Sequence, residues 1–205
     1  AVQNQSPLPT PPPKPGETVY IPFTIYARYG TTGTGTRQLT GTVAIKIGQT
    51  MNFIDVKTTD YFYNSVKWAV GKNITNGTSS TTFSPYKSCT RAEIVTFLWR
   101  AAGSPEPTTT RNPFRDVNAV THSSYYKAIL WASQKGITSG TSTTAFSPDQ
   151  VCTRAQIVTF LYRYAGQPSG YYSNPFKDVG ATSEASYYNA IRWAVGKGIT
   201  SGTGG

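Results

Sequence analysis

A chain of 205 residues, 38% of them hydrophobic, has room for one or two domains around a substantial core. Nineteen Lys and Arg against nine Asp and Glu leave a net charge of +10, which favours an anionic partner such as nucleic acid, an anionic membrane surface or an acidic polysaccharide. The basic residues are dispersed and no nucleic-acid motif is present, which argues against nucleic acid. No apolar run has the length of a membrane span, and two cysteines with one histidine offer no metal spacing, no cofactor motif and no catalytic triad.

Residues 1–17 are proline-rich (Pro11-Pro12-Pro13, Pro15) and read as an extended, semi-rigid linker. The chain begins at Ala1 without Met or a signal peptide, and is read as a processed form or a fragment. Residues 18–50 follow the period of a half-buried strand: Val19, Ile21, Phe23, Ile25 and Ala27 alternate with Tyr20, Pro22, Thr24 and Tyr26. Gly30 to Gly35 is a turn, after which Leu39, Gly41, Val43 and Ile45 alternate again. Two strands alone are marginal in water, so this β-hairpin is expected to dock on something, as the last hairpin of a sandwich domain would.

From residue 51 the chain repeats itself, and repeats set the architecture. Phe-x-Asp-Val occurs at Phe53, Phe114 and Phe176, intervals of 61 and 62 residues. Each copy leads into an apolar helix carrying Trp68, Trp131 or Trp193, expected to be core residues, with Val66 and Val70, or Ile129, Trp131 and Ala132, as buried stripes. Asn73, Gly136 and Gly198 stand where these helices should stop. Ile-Thr-x-Gly turns follow at Ile74, Ile137 and Ile199, then Phe83-Ser84-Pro85 and Phe146-Ser147-Pro148. Asp55, Asp116 and Asp178 precede helices and are expected to cap them or pair with Arg, as structural residues.

A second helix opens at Cys89-Thr90-Arg91-Ala92-Glu93 and again at Cys152-Thr153-Arg154-Ala155-Gln156. Thr90 with Glu93, and Thr153 with Gln156, have capping-box spacing, and Gly103 and Gly166 suit left-handed stops. Arg91 and Arg154 then sit just inside helix N-termini, where a cation is electrostatically unwelcome. Either each is solvated or paired with an acidic neighbour, or an anion visits the site. The cysteines suit small buried residues, although a disulfide between them is also compatible with the spacing. The third repeat contains neither a Phe-Ser-Pro turn nor a Cys-Thr-Arg-Ala helix within the 205 residues. One helix pair cannot bury its apolar face alone, so the copies are expected to share a core as a pseudo-threefold bundle of helix-loop-helix repeats, mainly α, with the N-terminal hairpin making it α+β overall.

Phe-x-Asp-Val, Ala-Ile-x-Trp-Ala, Gly-Ile-Thr-x-Gly, Phe-x-Pro and Thr-Arg-Ala-Glu, in this order, resemble the S-layer homology module. The resemblance covers 51–205 as modules 51–110 and 111–173 and a partial module 174–205. It implies a non-catalytic anchor outside the cell, at the cell surface or wall. Such an anchor binds an anionic secondary cell-wall polysaccharide, often pyruvylated, and tethers a larger surface protein without a covalent bond. It further implies that Arg91 and Arg154 contact the polymer, and a guanidinium beside helix N–H donors does suit a carboxylate. Gly77 and Gly140 are expected to let a sugar approach the backbone, and Tyr61 to act as a stacking platform. Ser124 and Ser186 stand in Tyr61's place in the later copies, with Tyr125 and Tyr187 adjacent. Gln156 replaces the motif's Glu. The alternative is a lattice or adhesin module contacting protein, through the incomplete third repeat or the hairpin.

Overall fold

The computed structural model describes residues 17–29, 35–46, 51–181 and 187–203. The proline-rich stretch up to residue 16, the expected turn at 30–34 and Ser186 lie outside them. Among the described residues, five helices and one two-stranded antiparallel hairpin make the chain mainly α with a small β part. It divides into two compact units between Phe83 and Ser84, inside the first repeat rather than between repeats.

In the first unit, β1 (Thr18–Tyr29) pairs with β2 (Gly35–Lys46), setting Ile21 opposite Val43 and Ile25 opposite Leu39. Opposed residues share a face, so Ile21 and Val43 stand on one side of the hairpin. Leu39 and Val43 nevertheless remain 63% and 48% exposed. Helix α1 (Tyr63–Gly71) turns Val66 and Val70 onto Val56, with Phe53, Phe62 and Phe83 packed around them. Trp68 corrects the sequence expectation: it is 59% exposed rather than core. Among the described residues of this unit α1 is the single helix, and no second helix lies over its indole.

The second unit holds α2 (Arg91–Ala101), α3 (Tyr126–Gln134), α4 (Arg154–Tyr164) and α5 (Tyr188–Gly196). α2 packs on α3 and α4 on α5, so the second helix of one repeat pairs with the first helix of the next. This cross-repeat pairing explains why the unit boundary cuts the first repeat. Val95, Phe114, Ile129, Ile137, Phe146 and Phe160 form the shared core. Trp131 and Trp193 are buried, against Tyr164 and Tyr162 of α4.

Local chemistry sets the helix limits. Thr90 Oγ1 accepts from Glu93 N–H, and Glu93 accepts from Thr90 N–H at 2.7 Å; the Thr153–Gln156 box repeats this at 3.1 Å. The shorter bond belongs to the charged acceptor, as charge assistance requires. All five helices end on a left-handed residue, at Asn73, Gly103, Gly136, Gly166 and Gly198. The next amide then bonds back to the helix, as Ser104 N–H to Trp99 C=O at 2.9 Å and Ile137 N–H to Ala132 C=O at 2.8 Å.

Candidate functional site

The two Thr-Arg-Ala arginines project at successive repeat junctions, and the junctions differ. At the first, the Nε–H of Arg91 donates to the Phe146 carbonyl at 2.8 Å. Its guanidinium carbon lies 4.9 Å from the Phe146 ring centroid and 5.3 Å from that of Phe160. The residue is 4% exposed. Burial lowers the guanidinium's proton affinity, an effect that Cys152 opposes, Arg163 reinforces and Asp116 opposes. The group stays charged in spite of this. Flat cation and aromatic faces satisfy one another here, and the cation is held by a backbone dipole rather than a carboxylate.

At the second junction Arg154 is exposed. One Nη2 donates to Thr200 Oγ1 at 3.2 Å and to Gly202 C=O at 3.3 Å, both long bonds. The side chain stands at a groove of about 460 Å³, lined by residues that include Phe176, Asp178, Tyr187 and Ile191. The sequence pattern did not single out Thr200; the signal was the third Ile-Thr-Ser-Gly copy.

The reason the junctions differ lies in what fills them. Asp116 accepts from Phe146 N–H (Oδ1, 2.9 Å) and from Ser147 N–H (Oδ2, 2.7 Å), while the Phe146 ring rests 5.6 Å from Phe114. In the first unit Asp55 likewise accepts from Phe83 N–H at 2.9 Å, and Phe83 lies 5.7 Å from Phe53. Asp55 and Asp116 are structural as expected, through a bond the sequence did not announce: each accepts from the Phe-Ser-Pro turn. Asn112 and Asn174, missed in the sequence reading, brace the same motif. Their amides donate to Val117 and Val179 C=O at 2.6 and 2.7 Å. The recurrence of Asn-Pro-Phe was the available signal.

Gly77 and Gly140 occupy left-handed turns, at φ 80° and 87°. A Cβ at Gly77 would stand 2.4 Å from Thr82 O and 2.5 Å from the Phe53 ring; at Gly140 it would stand 2.4 Å from Ala145 O. Each turn's own packing therefore demands glycine, whatever else approaches it. Tyr61 is 93% exposed, with its ring edge-on to Phe62. Tyr125 is half-buried, stacked 5.3 Å from the His122 ring and packed against the core. Burial, and secondarily Asp149, raises its phenol. Cys89 and Cys152 are free, half-buried thiols flanking the Thr90–Val151 bridge, with Cys152 N–H donating to Cys89 C=O at 3.0 Å. Burial pushes both thiols up.

The profile of the S-layer homology domain matches the chain at residues 52–95, 113–158 and 175–205, more than half its length. The chain belongs to the S-layer homology domain family. Domains of this family are cell-wall anchoring modules. An endoglucanase of Bacillus sp. (strain KSM-635) is 34% identical over 111 residues, which is 54% of this chain and 11% of that enzyme. The chain thus spans a small part of that relative's length. In S-layer homology terms, both Thr-Arg-Ala-Glu/Gln arginines meet the repeat that follows their own. Arg91 faces a completed junction and Arg154 an open one.

Proposed function

We propose that this S-layer homology chain is a non-catalytic anchor, outside the cell, that tethers a larger surface protein to an anionic, pyruvylated secondary cell-wall polysaccharide. Arg154 carries the reading. Its exposed guanidinium, at the capped N-terminus of α4 and beside the Thr200 hydroxyl, offers a planar pair of donors to a carboxylate. The net charge of +10 draws a polyanion toward it. Arg91 fixes the neighbouring junction from within. Tyr61 and Tyr125 offer ring faces for sugar, the first more openly, and the left-handed turns at Gly77 and Gly140 offer it backbone.

The test is retention on purified cell-wall sacculi, with Arg154→Ala compared against the unaltered chain and folding checked by circular dichroism. Retention is expected to fall at least about tenfold, since a charged hydrogen-bonded pair is worth about 1.5–3 kcal/mol. Equal retention of the folded variant sinks the reading. The exposed Leu39 and Val43 of the hairpin favour a second role in contacting protein. Binding of that kind persists on protein lattices stripped of glycan.

A further inference from the structure

We propose that Cys89 and Cys152 are the site of an intramolecular disulfide that ties the start of α2 to the approach to α4 across the first repeat junction. They are the two cysteines of the 205 residues, and both thiols stand free in the structure. The backbone holds them as an opposed pair. Thr90 and Val151 form an isolated antiparallel bridge, flanked by bonds from Cys152 N–H to Cys89 C=O at 3.0 Å and from Arg91 N–H to Gln150 C=O at 2.9 Å. That register sets Cys89 directly opposite Cys152, with both side chains on one face of the bridge. Ala92 N–H reaches Pro148 C=O at 3.0 Å, so the opening of α2 is pinned along this loop. Opposed residues in a hydrogen-bonded antiparallel pair lie about 5.5 Å apart at Cα, inside the range of about 4.4–6.8 Å that a disulfide spans. Their Cβ atoms, about 4.5–5.5 Å apart in such a pair, need to close by about 1 Å. A single bridge between two loops yields that much more readily than a ladder inside a sheet.

The surroundings suit a lasting cross-link rather than a reactive thiol. Burial raises both thiols; Glu93 adds to this at Cys89, and the Arg91 charge opposes it at Cys152. Neither has the depressed proton affinity of an exchanging cysteine. Closure needs an oxidant, and a low-molecular-weight disulfide outside the cell supplies it. The Cys152 thiolate attacks that disulfide, and one of its halves leaves as a thiol with the proton that Cys152 gave up. The Cys89 thiolate then displaces the other half from Cys152 Sγ. The chain loses two protons and two electrons, and the oxidant ends as two thiols. The closed loop contains α3 entire, together with Phe114, Ile129 and Phe146 of the shared core. Constraining so long a loop in the unfolded chain favours the folded one. The inference rests on the surface location of the S-layer homology family and not on the glycan reading.

The experiment incubates the folded 205-residue chain, without denaturant, with oxidised glutathione or with a phosphine reductant. The oxidised chain should be a monomer about 2 Da lighter than the reduced one, the mass of the two hydrogens lost. A protease map should join the peptide holding Cys89 to the peptide holding Cys152. The melting midpoint should stand at least about 5 °C above that of the reduced chain. Closure should quicken between about pH 7 and about pH 9, as more thiolate forms. A Cys89→Ser/Cys152→Ser chain should melt at one temperature in both media; should it not fold, Cys89→Ala/Cys152→Ala serves as the control. Two glutathione adducts in place of the link overturn the proposal, as does a covalent dimer. A link that lowers the midpoint, or that forms only in denaturant, overturns it equally.

Discussion

Arg91 and Arg154 hold the same place in two near-identical helix starts, yet one is buried between rings and the other stands open. The difference predicts opposite mutational behaviour. Arg91→Ala removes the bond to the Phe146 carbonyl and leaves a hollow between Phe146 and Phe160. It should cost about 2–4 kcal/mol in chemical denaturation. Arg91→Lys should recover only part of that, since an ammonium lacks the flat face that lies on the rings. Arg154→Ala should cost under about 1 kcal/mol, because its bonds are long and exposed to water. Equal losses at the two positions would refute the distinction. The sequence located both side chains, and their equivalence was legible from the repeated motif. Their burial was not, because it depends on a turn 55 residues away for Arg91.

Helix ends obey chemistry within a few residues of themselves, which is why both capping boxes and every left-handed stop were legible from sequence. One asymmetry there is testable. Burial pushes Glu93 up, but bonds from the Thr90 amide and the Lys87 ammonium outweigh it and hold the carboxyl below its ordinary value of 4.5. A depressed carboxyl stabilises the fold above its unfolded pKa, and that stability is lost as pH falls through the folded value. Gln156→Glu should bring the same effect to α4. A gain of about 0.5 kcal/mol is expected at pH 7 from the helix dipole and the charged cap. It should be smaller than Glu93's own contribution, because Gln150 stands where the first copy has Lys87. Thermal unfolding at pH 7 and pH 3 checks this, with the gain absent at pH 3. A gain that survives acid would point to propensity instead. The pairing of whole helices was less legible: α2 joins α3 of the following repeat, and the Trp68 indole lies exposed where its two counterparts are covered.

Across the whole molecule, a charge of +10 spread over many exposed side chains acts on a polyanion through solvent. Binding to cell-wall sacculi should therefore weaken steeply between low salt and about 0.5 M, as the screening length shrinks toward a few ångströms. Affinity that holds across this range would favour the apolar hairpin as the contact. By itself the sequence determined the repeat, its helices, their caps and stops, and the family, because these depend on residue spacing and bonds spanning a few positions. Only the tertiary structure decided which arginine is covered, which tryptophan is exposed, and that Asp55 and Asp116 grip a backbone turn. Those outcomes depend on which segment comes to lie against which, and residues far apart in the chain share no local signal that reports their meeting.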